Sequence, residues 1–219
     1  MNSSIIQLLV LAGIAVFLIL RLKSVLGTRE GFEPKREPTP LPSRNRPHGL
    51  EVIEGGPDLD ITDHVAEDSD AAAALADMKR AEPSFGVSDF LQGARGAYEM
   101  ILMGFERGDI DALRPFLAED VYQTFAEVIE VRQAKNLTIE AEFIGVRDMT
   151  LTDATFDSNT GAAQITVKFI GELVSVVRDG EGTVVEGEPG KSKRQRDSWT
   201  FERMMGSDDP NWRLIATGE

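Results

Sequence analysis

The chain has 219 residues, 23 Lys+Arg against 37 Asp+Glu, a formal net charge of -14 and no cysteine. Lack of cysteine excludes a disulfide framework, a thiolate metal site and a cysteine nucleophile, and the acidic balance argues against nucleic acid, whose phosphates call for clustered Lys and Arg. The histidines are His48 and His64, both in a stretch that reads as linker, so no histidine-based catalytic or metal site is expected in the folded part, and no cofactor is expected.

From Asn2 to Leu20 there is no charged side chain, and IIQLLVLAGIAVFLIL from Ile5 is almost wholly apolar. As a helix this run reaches about 28 Å, close to the thickness of a hydrocarbon core. A cleaved signal peptide is the rival reading, but it wants its basic residues ahead of the apolar run. Here Arg21, Lys23, Arg29, Lys35 and Arg36 follow it. Residues 1–27 are therefore read as an uncleaved anchor, with the N-terminus outside and the basic flank in the cytoplasm. Arg21 and Lys23 are placed at the membrane interface, contacting lipid headgroups.

Residues 28–68 carry Pro34, Pro38, Pro40, Pro42, Pro47 and Pro57, then an acidic run. Such a segment buries too little apolar surface to offset its ordering entropy and reads as a disordered linker. Its acidic part suits solvation and repulsion from anionic lipid, or, on a sharper reading, a lure for a basic partner. Residues 69–82 contain a short helix, with Ser69 or Asp68 as cap and Leu75 and Met78 three apart. So thin an apolar stripe is marginal alone and needs a surface to dock on.

From 84 to 219 the pattern is that of one globular domain. Val87, Phe90, Leu91, Ala94, Ala97, Tyr98, Ile101, Leu102 and Phe105 form one face of a helix of about 20 residues. Ser88 is its expected cap and Gly108 its left-handed stop. Two shorter helices follow, around Leu113–Leu117 and from Val121 to about Asn136. The period then becomes two: Leu137, Ile139, Ala141 and Phe143 alternate before Ile144 and Val146 switch parity, the mark of a bulge. Ile165, Val167 and Phe169 begin another strand, Asp179-Gly180 signals a hairpin, and Lys191–Arg196 (KSKRQR) reads as a solvated basic hairpin tip or, on a sharper reading, as a contact for anionic headgroups or an acidic partner. Trp199 with Phe201, and Trp212 with Leu214 and Ala216, alternate in the last two strands. Helices first and antiparallel strands afterwards make the domain α+β.

Several stretches together resemble a known family. These are Phe90-Leu91-x-Gly93-Ala94-x-x-Ala97-Tyr98-x-x-Ile101, Gly108-Asp109-x-x-x-Leu113, Ile165–Phe169, Trp199–Arg203 and Asp209–Leu214. In this order and spacing they are similar to the TimA family, bacterial relatives of the forty-four-kilodalton subunit of the mitochondrial presequence translocase. The resemblance implies a nuclear-transport-factor-two-like cone, with helices on a curved antiparallel sheet around an apolar pocket. It also implies a scaffold at a membrane; the mitochondrial relative recruits the seventy-kilodalton heat-shock chaperone. The anchor and short acidic tether here differ from that relative's long N-terminal region, so a chaperone partner is the less supported part of the expectation.

The function expected is a membrane-anchored adaptor that binds membrane proteins or translocating polypeptides at the inner membrane. A lipid or other hydrophobic ligand in the domain pocket is the alternative. Trp199, Phe201, Trp212, Tyr98 and Met103 are the candidate pocket residues, although the aromatic ones also suit ordinary core at strand spacing. No spacing singles out an acid–base pair, so an enzyme is not expected.

Overall fold

The computed structural model describes residues 56–218, so the anchor reading of 1–27, with Arg21 and Lys23, lies outside the described residues. Among the described residues, no helix is long and apolar enough to cross a membrane.

The described chain begins with a helical turn, α1 (Leu59–Thr62), whose N-terminus is capped by the Asp58 side chain accepting from Asp60 N. Helix α2 (Asp70–Ala81) starts at Ser69, whose hydroxyl accepts from Ala72 N at 3.1 Å. Its stripe does dock: Leu75 and Met78 are both fully buried. Burial on this scale is worth roughly 1.5–3 kcal/mol per side chain, enough to hold a helix too short to stand alone.

Helix α3 (Val87–Arg107) is the long amphipathic helix that the periodicity predicts, and Gly108 ends it at φ 79. Its start differs from the expectation. Gly86 takes the cap position with no side-chain cap of its own. The free N–H groups of Val87 and Ser88 instead donate to Asp60, at 2.8 and 2.9 Å. A carboxylate from 27 residues upstream thus does the capping work that local spacing assigned to Ser88. After it come α4 (Ile110–Leu113), a 3-10 turn (Arg114–Phe116) and α5 (Glu119–Ala134).

Ile61, Leu75, Met78 and Phe85 belong to the same buried cluster as α3 and the strands. Ordered packing therefore begins upstream of residue 84, within the tract that composition reads as linker. One buried side chain and two carboxylates hold that entry segment, and neither leaves a periodic trace in the sequence.

The strands are β1 (Thr138–Asp157), β2 (Ala162–Arg178), β3 (Val184–Glu186), β4 (Ser192–Met204) and β5 (Arg213–Gly218). They form one antiparallel sheet in the order β1-β2-β4-β5, with β3 paired to the end of β2. Strand β2 sits inside the sheet and alternates strictly. Ala163, Ile165, Val167, Phe169 and Leu173 are fully buried. Between them Thr166, Lys168 and Glu172 point to the other face, where they are half-buried or exposed. Helices α2 and α3 both pack against β1.

The register of β1 against β2 slips between Phe143 and Gly145, between Val146 and Asp148, and again between Leu151 and Asp153. Extra residues bend a strand and raise its twist, so one 20-residue strand can wrap the helices. Ile144 is the unpaired residue of the first slip and is 49% exposed, so it does not take over the core face with Val146 as its parity suggests.

The hairpin signalled at Asp179-Gly180 is present as β2–β3, and one other reading is corrected. The β2–β3 turn is organised by Asp179, whose carboxylate accepts from Glu181 N and Thr183 N, and Gly182 rather than Gly180 supplies the left-handed φ of 82. The KSKRQR run is not a hairpin tip. From Ser192 it is the first half of β4, with Ser192 opposite Val174 and Arg196 opposite Ile170. Its charges hid a strand because its outer side has no covering layer and needs no apolar alternation.

Candidate functional site

Two aromatic clusters occupy the space between α3 and the sheet. In the first, Tyr98 stacks on Phe169 at 4.4 Å between ring centres and 10° between planes. Trp199 lies against both, at 4.8 Å from Tyr98 and 5.9 Å from Phe169. The Tyr98 hydroxyl donates to Asp197 Oδ2 at 2.5 Å, and Gln195 Nε2 donates to the other oxygen at 3.0 Å. Burial, followed by the neighbouring Asp197 acceptor and its charge, pushes the Tyr98 phenol well above its ordinary value, so it stays a neutral donor. Tyr98 and Trp199 are both core residues, and Met103 is buried on the same helix.

The second cluster is open to the surface. Trp212, in the connection between β4 and β5, meets Phe90 of α3 at 4.7 Å with the rings at 61°, and Phe85 at 6.0 Å. Phe90 meets Phe201 at 6.0 Å. These rings line a cleft of about 490 Å³. One wall is α3, where Phe90, Ala94, Ala97 and Met100 follow one another at three- and four-residue steps. Gly93 and Gly96 thin that wall and have nothing within reach of an added Cβ. The opposite wall is Pro210, Asn211 and Trp212, with Phe116 at the side.

Arg203 and Glu82 are the charged pair of this cleft. Arg203 Nη2 lies 2.5 Å from Glu82 Oε2, with the arginine side chain 9% exposed. Glu82 also accepts from Gly206 N at 2.9 Å. The Arg203 hydrogen bond, with that backbone N–H, holds the Glu82 carboxyl below its ordinary value. The guanidinium carbon stands 5.5 Å above the Trp212 ring. Arg203 Nε is buried and has no hydrogen-bond partner among the described residues. The cleft is therefore an aromatic and aliphatic trough with one fixed guanidinium at its base.

The structure divides the five candidate pocket residues. Phe201 and Trp212 line the cleft, while Tyr98, Trp199 and Met103 are not among its lining. Met100, 39% exposed, stands in the cleft wall, whereas Met103, the methionine named as a candidate, is buried. Phe85, Glu82 and Arg203 went unrecognised as site residues. Glu82 and Phe85 fall in the short connection between α2 and α3, which carries no periodicity. Arg203 follows Glu202 in β4, so strand alternation sends the two side chains to opposite faces. Glu202 accepts from Gln164 Nε2 at 2.7 Å, on the opposite side of the strand from the Arg203–Glu82 pair.

A family model described as the Tim44-like domain matches residues 71–219. The mitochondrial import inner membrane translocase subunit TIM44 of Homo sapiens is 27% identical over 150 residues, which is 67% of this chain and 33% of that protein. Subunit TIM44-1 of Arabidopsis thaliana is 19% identical over 161 residues, 71% of this chain and 34% of its own length. This chain thus spans about a third of the curated relatives it matches. A crystal structure of the intermembrane space region of the chloroplast protein ARC6 superposes with a TM-score of 0.40 at 11% identity, covering 58% of this chain and 94% of that one, a likeness too slight to bear on function. The family match takes in α2, α3, the whole sheet and the cleft between them, and the chain belongs to the Tim44-like domain family.

Proposed function

We propose that this chain is a membrane-anchored scaffold of protein translocation, in which the α3–Trp212 cleft holds an apolar segment of a membrane protein or translocating polypeptide. The observation that carries the reading is the cleft itself: about 490 Å³ bounded by Phe90, Met100, Phe201 and Trp212, on a domain of the Tim44-like family. An aromatic trough with few polar groups suits side chains of varied shape, and the flexible Met100 adapts to them.

In this reading the chain is a bacterial, TimA-type member without enzymatic activity. Residues 1–27 cross the inner membrane once with the N-terminus outside, and the domain, a nuclear-transport-factor-two-like cone, faces the cytoplasm. The basic flank after Leu20 supports that topology. A chaperone partner is a further extension of the family role. The second reading, a lipid chain in the same cleft, rests on the same apolar lining.

Met100→Glu tests both. Met100 is exposed, so the charge leaves the fold intact, yet it stands in the apolar wall. The full chain in detergent should keep its melting temperature and lose about tenfold in affinity for an amphipathic leucine-rich peptide, because an unpaired carboxylate must be desolvated. Undiminished peptide binding contradicts the cleft as the site. Co-purified lipid seen by native mass spectrometry in the wild type and lost in the variant, without peptide binding in either, favours the lipid reading.

A further inference from the structure

The first half of β4 has an open side. Strand β4 pairs with β2 from Ser192 to Met204, but β5 pairs with it only from Ser198 to Glu202. Among the described residues, no strand lies beside Ser192–Asp197 on the side away from β2. Alternate residues of this stretch direct their N–H and C=O groups to that open side. The open edge is roughly 20 Å long, the length of an ordinary strand. Further along the same side, β5 already occupies β4, so that side is straight enough to accept a partner.

The edge is strongly basic in an acidic protein. Lys193, Arg194 and Arg196 stand on it, and Lys168 joins them from β2. These four, with Gln195 and Asp197, line a hollow of about 520 Å³. The ion pairs nearby join Arg147 to Glu172, Arg178 to Glu140 and Lys191 to Glu188. Among the described residues, none brings a carboxylate within salt-bridge distance of Lys168, Arg194 or Arg196. Basic side chains on an open edge guard it against neutral or basic strands, which is their ordinary role in sheets. The same charges leave one class of strand admissible, an acidic one.

We propose that the Ser192–Asp197 edge of β4 receives an acidic extended peptide segment of a partner protein as an added strand. Main-chain hydrogen bonds to the open edge supply the affinity, and Lys168, Arg194 and Arg196, which share one face of the sheet, select carboxylates at alternate positions. The site lies at the opposite end of β4 from Phe201 and Arg203, so it is independent of the cleft.

The test uses the full chain in zwitterionic nanodiscs and a capped synthetic peptide alternating glutamate and valine. The peptide should bind, with amide exchange at 192–197 slowed by about tenfold or more, while replacement of its glutamates by lysine weakens binding by about tenfold or more. N-methylation at alternate peptide residues should abolish binding, because it removes the strand hydrogen bonds and leaves the charges. The paired variant Arg194→Glu/Arg196→Glu should lose binding at an unchanged melting temperature. Equal binding of the N-methylated peptide, or unchanged exchange at 192–197, would overturn strand addition in favour of plain charge contact. Association of the wild-type strip with phosphatidylglycerol nanodiscs, lost in the paired variant and with no peptide binding, would overturn it in favour of a membrane contact.

Discussion

Tyr98 and Asp197 join the middle of α3 to β4 through a 2.5 Å hydrogen bond inside the aromatic core. Tyr98→Phe keeps the ring stack on Phe169 and removes the hydrogen bond to Asp197. Urea melts at neutral pH should show a loss of roughly 1.5–3 kcal/mol, the worth of one hydrogen bond to a charged group. The pH dependence follows from the raised phenol. The folded state holds Tyr98 neutral, whereas the unfolded chain ionises it near its ordinary value of 10.0. Its contribution is therefore full below that pH and falls as pH rises beyond it, and Tyr98→Phe should flatten that alkaline decline. An alkaline limb unchanged by the substitution would contradict this role for Tyr98.

Asp60 fastens the entry segment to α2 through Lys79 and to the start of α3 through the Val87 and Ser88 N–H groups. Lys79 Nζ lies 2.8 Å from Asp60 and 2.7 Å from Asp58. Burial alone raises the Asp60 carboxyl, but hydrogen bonds from Lys79, Ser88 and the Val87 and Ser88 backbone outweigh it and hold it well below its ordinary 3.8. Its stabilisation is complete above that value and is lost as pH falls toward the folded pKa. Asp60→Asn should cost about 1–2 kcal/mol at neutral pH and make the acid limb of the stability curve shallower. It should also speed hydrogen exchange at Val87 and Ser88. Unchanged exchange there would show that the distant cap is not needed.

Gly171 makes room for Tyr98. A Cβ built on Gly171 would sit 2.5 Å from the Tyr98 hydroxyl oxygen and 3.0 Å from its ring. The ring cannot move aside without losing Phe169 or Asp197. Gly171→Ala should therefore destabilise by roughly 1–3 kcal/mol, although alanine suits a strand better than glycine. In the Tyr98→Phe background the penalty should shrink, because the atom met first is gone. Additive losses in a double-mutant cycle would contradict the packing account.

The sequence discloses what repeats and conceals what does not. The α3 stripe, the Gly108 stop, the Ser69 cap of α2 and the alternation of β2 are visible because each rests on residues a fixed step apart. Asp60 acts across 27 residues, so its cap cannot be read from spacing. The first half of β4 looked like a solvated loop because its open edge is charged. The aromatic candidates separate in the structure, although strand spacing gives Trp199 and Trp212 the same appearance. They part only because Trp212 precedes β5, in a connection that turns beside Phe90 and Phe85.

The central claim is that an apolar polypeptide segment enters the cleft beside Trp212. The chain holds two tryptophans, so Trp199→Phe leaves Trp212 as the sole indole emitter. Titration of that full-length variant in detergent with an amphipathic leucine-rich peptide should shift Trp212 emission to the blue and saturate. The reciprocal variant Trp212→Phe, which reports from the buried Trp199, should show little spectral change. A Trp212 spectrum unmoved at peptide concentrations that saturate binding, or an equal shift from Trp199, would contradict the account.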